Sequence, residues 1–215
     1  MAAPSKDSLP QMANEGQIYC LMEAVVCEII ADLIKIISPT ARSALVTGAI
    51  LHDWYKKPEV LAIKAARTAG TFSLATLDQI QAESDKILRA MGFGCAVIRL
   101  ASSPVAPTIR GHVLFMNRVI YYVDAILTEL DLVPLQERFD NLERGWYGER
   151  EDPARAAQNR AFSDVFRPRY DGRSLYEVQR TLGPLAEAEI SKNIGFEGNP
   201  IELPRFLAAK VAERV

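Results

Sequence analysis

The chain has 215 residues, with 25 lysines and arginines against 27 aspartates and glutamates, so its formal net charge is -2. That balance excludes a basic nucleic-acid footprint as the default, and no nucleic-acid partner is expected. Hydrophobic residues make up 49% and charged residues 24%, ordinary globular usage in a chain long enough to bury roughly 70% of its unfolded surface.

The N-terminal stretch, residues 1–15, is polar, contains Pro4 and Pro10 and has no apolar run, so it is expected to be a loosely ordered tail and not a signal peptide. Residues 18–37 are the most apolar segment. Glu23, Glu28, Asp32 and Lys35 interrupt it and are expected to form a wet stripe opposite Leu21, Val25, Ile29, Leu33 and Ile36. This predicts a core helix instead of a membrane span, and no membrane partner is expected. Cys20, Cys27 and Cys95 are odd in number and lack CxxC spacing, which fits a reduced, cytoplasmic setting.

Ser38-Pro39-Thr40 supplies a break and an N-cap for a helix over 40–52. In it Ala41, Ala44, Gly48 and Ala49 allow another helix to approach, and Leu45, Ile50 and Leu51 supply bulk. Pro58 fits the first position of a helix over 58–69, which ends before Gly70. Residues 73–91 carry Leu74, Leu77, Ile80, Ile87 and Leu88 at helical spacing and stop at Gly92. A short helix over 95–101 precedes a loop. An apolar helix is predicted over 111–130, with Val113, Met116, Val119, Ile120, Val123 and Leu127 facing inward, and Pro134 opens another that runs to Trp146. From 148 to 174 the chain is rich in arginine and carboxylates, read as one helix over 153–164 and a mixed-sign solvated surface. Helices over 175–192 and 204–213 complete the chain. No alternating pattern of useful length occurs, so the fold class is all-α, with a core over 16–147 and a C-terminal helical extension, 148–215, packed on it.

The chemistry concentrates in Gly48-Ala49-Ile50-Leu51-His52-Asp53-Trp54-Tyr55-Lys56, where a helix ends on adjacent imidazole and carboxylate side chains. Histidine is a borderline nitrogen ligand and aspartate a hard oxygen ligand. Together they suit Mn, Fe, Co, Ni or Zn, and admit Mg where water completes the shell. Alone, such a pair also serves surface or capping roles. With only His52 and His112 in the chain, a site built from imidazoles holds two at most.

The segment resembles the signature of the HD-domain superfamily of metal-dependent phosphohydrolases, in which a helix rich in small apolar residues ends in Leu-His-Asp-x-Gly-Lys. Lys56 stands where that lysine would be, and Tyr55 replaces the glycine. Arg118-Val119-Ile120-Tyr121-Tyr122-Val123-Asp124-Ala125-Ile126 is similar to the family's late helix, in which an aspartate closes the metal shell. Val133-Pro134-Leu135-Gln136-Glu137-Arg138-Phe139 is similar to the segment that commonly follows. The resemblance implies an HD-like helical bundle with metal ligands His52, Asp53 and Asp124, and a divalent ion, one of Mn, Fe, Co, Ni or Mg. It also implies hydrolysis of a nucleotide or another small phosphorylated ligand. Asp53 and Lys56 would be the catalytic residues, Asp53 as ligand and orienter of the nucleophile and Lys56 as partner of the phosphate. Arg99 and Arg110 are further anion contacts or, more plainly, solvated charges. A homodimer is a fold-level expectation.

Proteins of this kind usually open the site with a histidine on the first core helix, and none precedes His52. Cys20 or Glu23 would substitute, although the plainer reading makes them a core and a surface residue. His112 lies where other members place extra histidines. On a continuous helix, however, it would stand about 18 Å from Asp124, so an ordinary exposed or capping role is the plainer one. The chain is therefore expected to be a metal-dependent phosphohydrolase with reduced or lost activity, or a catalytically inactive module of that fold binding a ligand or a protein. A redox-metal oxygenase would need more histidines.

Overall fold

The structure, a computed structural model, describes residues 8–35, 37–102, 115–128, 130–145, 148 and 152–214, with side chains from residue 18 onward. Among these the fold is all-α. The helices are α1 (Ser8–Leu33), α2 (Pro39–Leu51), α3 (Lys56–Thr68), α4 (Leu74–Ala90), α5 (Cys95–Ala101), α6 (Phe115–Ile126), α7 (Leu135–Gly145), α8 (Pro153–Asp164), α9 (Leu175–Ile194) and α10 (Leu203–Ala212). A small antiparallel pair, β1 (Leu127–Thr128) and β2 (Asp131–Leu132), joins α6 to α7 with Leu127 opposite Leu132. No described helix is long and apolar enough to cross a membrane.

Several helix starts follow from side-chain caps. Ser38 accepts a hydrogen bond from the Ala41 N–H with Pro39 next in line, Ser73 does so from Thr76, and Asp152 from Arg155 ahead of Pro153. Ser174 and Glu177 form a reciprocal capping box at the head of α9. Other boundaries differ from expectation. Helix α1 begins at Ser8, inside the stretch expected to be loose, and stops at Leu33. Pro58 sits two residues inside α3, which starts at Lys56. Helix α6 ends at Ile126 instead of running to 130, because the chain turns there into the β1–β2 pair. His112, Arg110, Val113, Trp146 and the predicted loop after Ser102 lie outside the described residues.

Two helices form the centre. Helix α6 buries Asn117, Val119, Ile120, Tyr121, Tyr122, Val123 and Ile126, so it is enclosed nearly all round instead of on one face. Helix α1 packs most extensively on α2 and also meets α6 and α10. Its wet stripe is narrower than expected: Glu28 and Asp32 pair with Arg42 of α2 and with Arg214, whereas Glu23 is 0% exposed and Leu21 is 55% exposed. A spacing of five residues turns a helix by about 140°, which takes Glu23 off the face of Glu28. On α2, Ala44, Gly48 and Ala49 are buried as expected, but Ile50 is exposed. Gly48 permits close contact with α5, since a Cβ there would lie 2.5 Å from Leu100 Cβ.

The C-terminal helices share this core. Phe166, Tyr170, Leu175, Val178, Ile190, Leu203 and Leu207 belong to one buried cluster with Ile30, Leu45 and Ile120. The segment read as solvated surface thus has two faces. Arg167 pairs with Asp164 and Arg169 with Asp78 on the outside, while Phe166 and Tyr170 point in. A smaller cluster of Leu88, Ile98 and Ala101 packs with Leu51 and Trp54 beneath α4 and α5.

Candidate metal centre

The site forms where α1, the end of α2 and the end of α6 meet. His52 follows α2 while keeping helical dihedrals (φ -62°, ψ -34°), so its ring folds back over the previous turn and Nδ1 lies 2.8 Å from the Ala49 carbonyl oxygen. The Lys56 N–H donates to Asp53 O (3.0 Å), and the chain passes through this tight turn straight into α3. Tyr55, where the resemblance expects glycine, has φ -97° and ψ 6°, a conformation open to any residue.

With its Nδ1 hydrogen directed at Ala49, His52 turns Nε2 toward the site, where a bound cation would take the place of the proton. Nε2 stands 3.5 Å from Asp53 Oδ2 and 3.8 Å from Asp124 Oδ1, and it has no hydrogen-bond partner among the described residues. The His52 side chain is 1% exposed, so that nitrogen is an orphan within the protein. Two donors on one ion with bonds of roughly 2.1 Å lie about 3.0 Å apart at right angles and about 3.4 Å apart in a tetrahedron, so each of the two His52–carboxylate distances is close to what a shared cation would require. The residues fit a divalent metal.

Glu23, expected as a surface residue or as a stand-in for the absent first-helix histidine, is buried and points from α1 at this cluster. Its Oε2 is 2.6 Å from His52 Nδ1, yet neither carboxylate oxygen meets a donor in hydrogen-bonding geometry among the described residues. One ligand atom each from Glu23, His52 and Asp124 lie within 4.8 Å of one another. Tyr19, one turn earlier, directs its hydroxyl at Asp124 Oδ1, Asp124 O and Leu127 O, each at 3.3 Å. The signal for both was the i, i+4, i+8 series Tyr19, Glu23, Cys27, which places one acid and one phenol on a single face of the helix.

Burial pushes the Glu23 carboxyl up to about 8, against a partial pull from His52. The same burial pulls His52 down, but Asp53, Cys20 and Glu23 around the ring outweigh it and hold the imidazolium above its ordinary range. Asp53 is also pushed up by burial, and His52 with Lys56 outweigh that and hold it below the usual carboxylate range. Burial drives the Tyr19 phenol and the Cys27 thiol upward, so the first stays a hydrogen-bond donor and the second a neutral core side chain. A divalent cation at this acidic cluster would have to compete with protons for it.

The cluster opens onto a cavity of about 620 Å³. Lys56, 59% exposed, stands at its edge, 3.7 Å from Asp53 Oδ1 and 3.6 Å from Glu59 Oε2. Arg138 of α7 is half-buried in the wall and makes no ion pair among the described residues. Phe162, Phe166 and Arg169 close the far side, so the C-terminal region contributes walls that the sequence reading did not assign to the site. Arg99 is exposed on α5 and does not line the cavity. Comparison of the chain with protein-family models, with curated proteins and with solved structures found no match.

Proposed function

We propose that the chain is an HD-like, metal-dependent phosphohydrolase acting on a nucleotide or other small phosphate ester in a reducing, cytoplasmic setting. The observation that carries this reading is the buried, unpartnered Nε2 of His52 facing Asp53 and Asp124 at one end of a cavity that also holds Lys56 and Arg138. His52, Asp53 and Asp124 would hold the ion. A divalent cation there supplies Lewis acidity, acidifying water and neutralising phosphoryl charge. The Asp53 carboxylate has one oxygen toward His52 and the other toward Lys56, so the second oxygen accepts a hydrogen bond from the attacking water and orients it. Lys56 and Arg138 place positive charge where a phosphate would sit. The free thiols Cys20, Cys27 and Cys95 are consistent with a reducing compartment.

The test is metal content and hydrolysis together. Purified protein supplemented with Mn, Fe or Ni is expected to retain an ion and to cleave p-nitrophenyl phosphate or nucleoside monophosphates, with loss on EDTA treatment. His52→Ala and Asp124→Ala are expected to abolish both. Protein that holds no ion after supplementation overturns the reading. Protein that holds an ion but cleaves nothing in the panel favours a ligand- or protein-binding module of the same fold.

A further inference from the structure

Glu23 presents a problem the three-ligand centre leaves unsolved. It is fully buried, both its oxygens lack a donor among the described residues, and no lysine or arginine there pairs with it. The nearest nitrogen, His52 Nδ1, already has its hydrogen directed at Ala49 O, so the 2.6 Å approach of Glu23 Oε2 is a contact without the bond that would satisfy a carboxylate. An amide of the same shape would avoid the cost of burying a charge. A carboxylate gains over it only where a cation can reach it, the His52 imidazolium in the metal-free centre or a divalent ion that displaces its proton.

The place where a cation would reach it is already defined. A Glu23 oxygen, a His52 ring nitrogen and an Asp124 oxygen lie within 4.8 Å of one another, around an imidazole that is 1% exposed. Helix α1, which carries no histidine among residues 8–33, thus still delivers a donor to the centre. We propose that Glu23 is the fourth protein ligand of a one-histidine, three-carboxylate centre with His52, Asp53 and Asp124, and that this donor set selects Mn²⁺.

The donor chemistry carries the choice of ion. Carboxylates suit Mg, Ca and Mn, whereas imidazole suits Zn, Cu, Fe and Ni, so three carboxylates beside a single imidazole move the preference toward Mn²⁺. Replacing an imidazole by a carboxylate narrows the intrinsic advantage that Zn²⁺ and Ni²⁺ hold over Mn²⁺ at nitrogen-rich sites. Three carboxylates also bring more negative charge than one divalent ion neutralises, which leaves excess charge for Lys56 to balance at the cavity edge. This inference rests on the ion-binding part of the function proposed above and is independent of whether any phosphate ester is cleaved.

Mn²⁺ binding can be read without activity, from loss of the free-ion electron paramagnetic resonance signal and from the rise in melting temperature on adding Mn²⁺. The wild-type chain is expected to bind Mn²⁺, and Glu23→Gln to bind at least 10-fold more weakly with a correspondingly smaller thermal shift. Glu23→His is expected to move the Zn²⁺:Mn²⁺ affinity ratio at least 10-fold toward Zn²⁺, which guards against a Gln variant that merely folds poorly. Glu23→Gln with wild-type Mn²⁺ affinity, or Glu23→His with an unchanged ratio, overturns the assignment of Glu23 while leaving the three-ligand centre standing. A wild-type chain that takes up neither Mn²⁺ nor Zn²⁺ overturns both.

Discussion

The Tyr19 hydroxyl stands 3.3 Å from Asp124 Oδ1, tying α1 to the last turn of α6 across 105 residues of sequence. The same oxygen is 3.3 Å from the carbonyl oxygens of Asp124 and Leu127, so a single phenolic hydrogen is shared among three acceptors where α6 turns into β1. Tyr19 is thereby a positioning residue for Asp124. Tyr19→Phe is expected to lower divalent-ion affinity about 10-fold, the scale on which outer hydrogen bonds tune a metal site. The cost in folding stability is expected to be only about 1 kcal/mol, as for one partly buried hydrogen bond. Ion titration beside a thermal melt separates the two. Equal loss of both would show that Tyr19 is merely structural.

Gly48 sets the distance between α2 and α5. A methyl group there would stand 2.5 Å from Leu100 Cβ and 3.2 Å from Ile120 Cδ1, and Leu100 is itself buried. Gly48→Ala gains helix propensity but must push the two helices apart, so a net loss of about 1–3 kcal/mol is expected. In a chain of this size that lowers the melting temperature by roughly 2–4 °C per kcal/mol. An unchanged melting temperature would mean the interface adjusts at no cost.

Features set by neighbouring residues were legible in the sequence. Ser38-Pro39 signals a helix start because a cap needs only a side-chain oxygen and the next N–H groups, and α5 and α8 fall at the predicted bounds. Small residues on α2 signalled close packing for the same reason. Glu23 was legible only as one of two stand-ins for the absent first-helix histidine, since an acid on an amphipathic helix is ordinarily solvated and its burial comes from packing beyond its own helix. The cavity walls from Phe162, Phe166 and Arg169 depend on contacts across some hundred residues, which no local pattern encodes. His52 and Asp53 were readable as a pair, whereas the direction of the His52 ring follows from Ala49 O and Glu23 together.

Glu187 offers a pH test away from the centre. Its carboxyl is 6% exposed, accepts a 2.9 Å hydrogen bond from the Tyr122 hydroxyl, and is pushed above its ordinary value of 4.5 by burial, with Tyr122 pulling part of the way back. A carboxyl whose folded-state value is raised contributes stability that is fully present below its unfolded value. That stability is lost as pH rises through the folded one. Glu187→Gln keeps an acceptor for Tyr122 without a buried charge. It is therefore expected to melt higher than wild type at pH 7 and to converge with it near pH 4. A variant that is less stable at pH 7 than at pH 4 relative to wild type would reverse the sign and refute the burial argument.

Lys56 and Arg138 both face the cavity, but their charges are differently engaged. Lys56 is 59% exposed and within 3.7 Å of both Asp53 and Glu59, so much of its charge is balanced by those acids and by solvent. Arg138 is half-buried with no ion pair among the described residues, and its guanidinium can offer two parallel hydrogen bonds to a phosphate. If a phosphate ester is the substrate, Arg138→Met is expected to raise KM about 10-fold or more, since a hydrogen bond to a charged group contributes about 1.5–3 kcal/mol. Lys56→Met is expected to raise it about threefold, the scale of an exposed ion pair. Steady-state kinetics of the two variants on one phosphate ester decide the order. A larger effect at Lys56 would place the phosphate at the outer edge of the cavity, beside α3, instead of against α7.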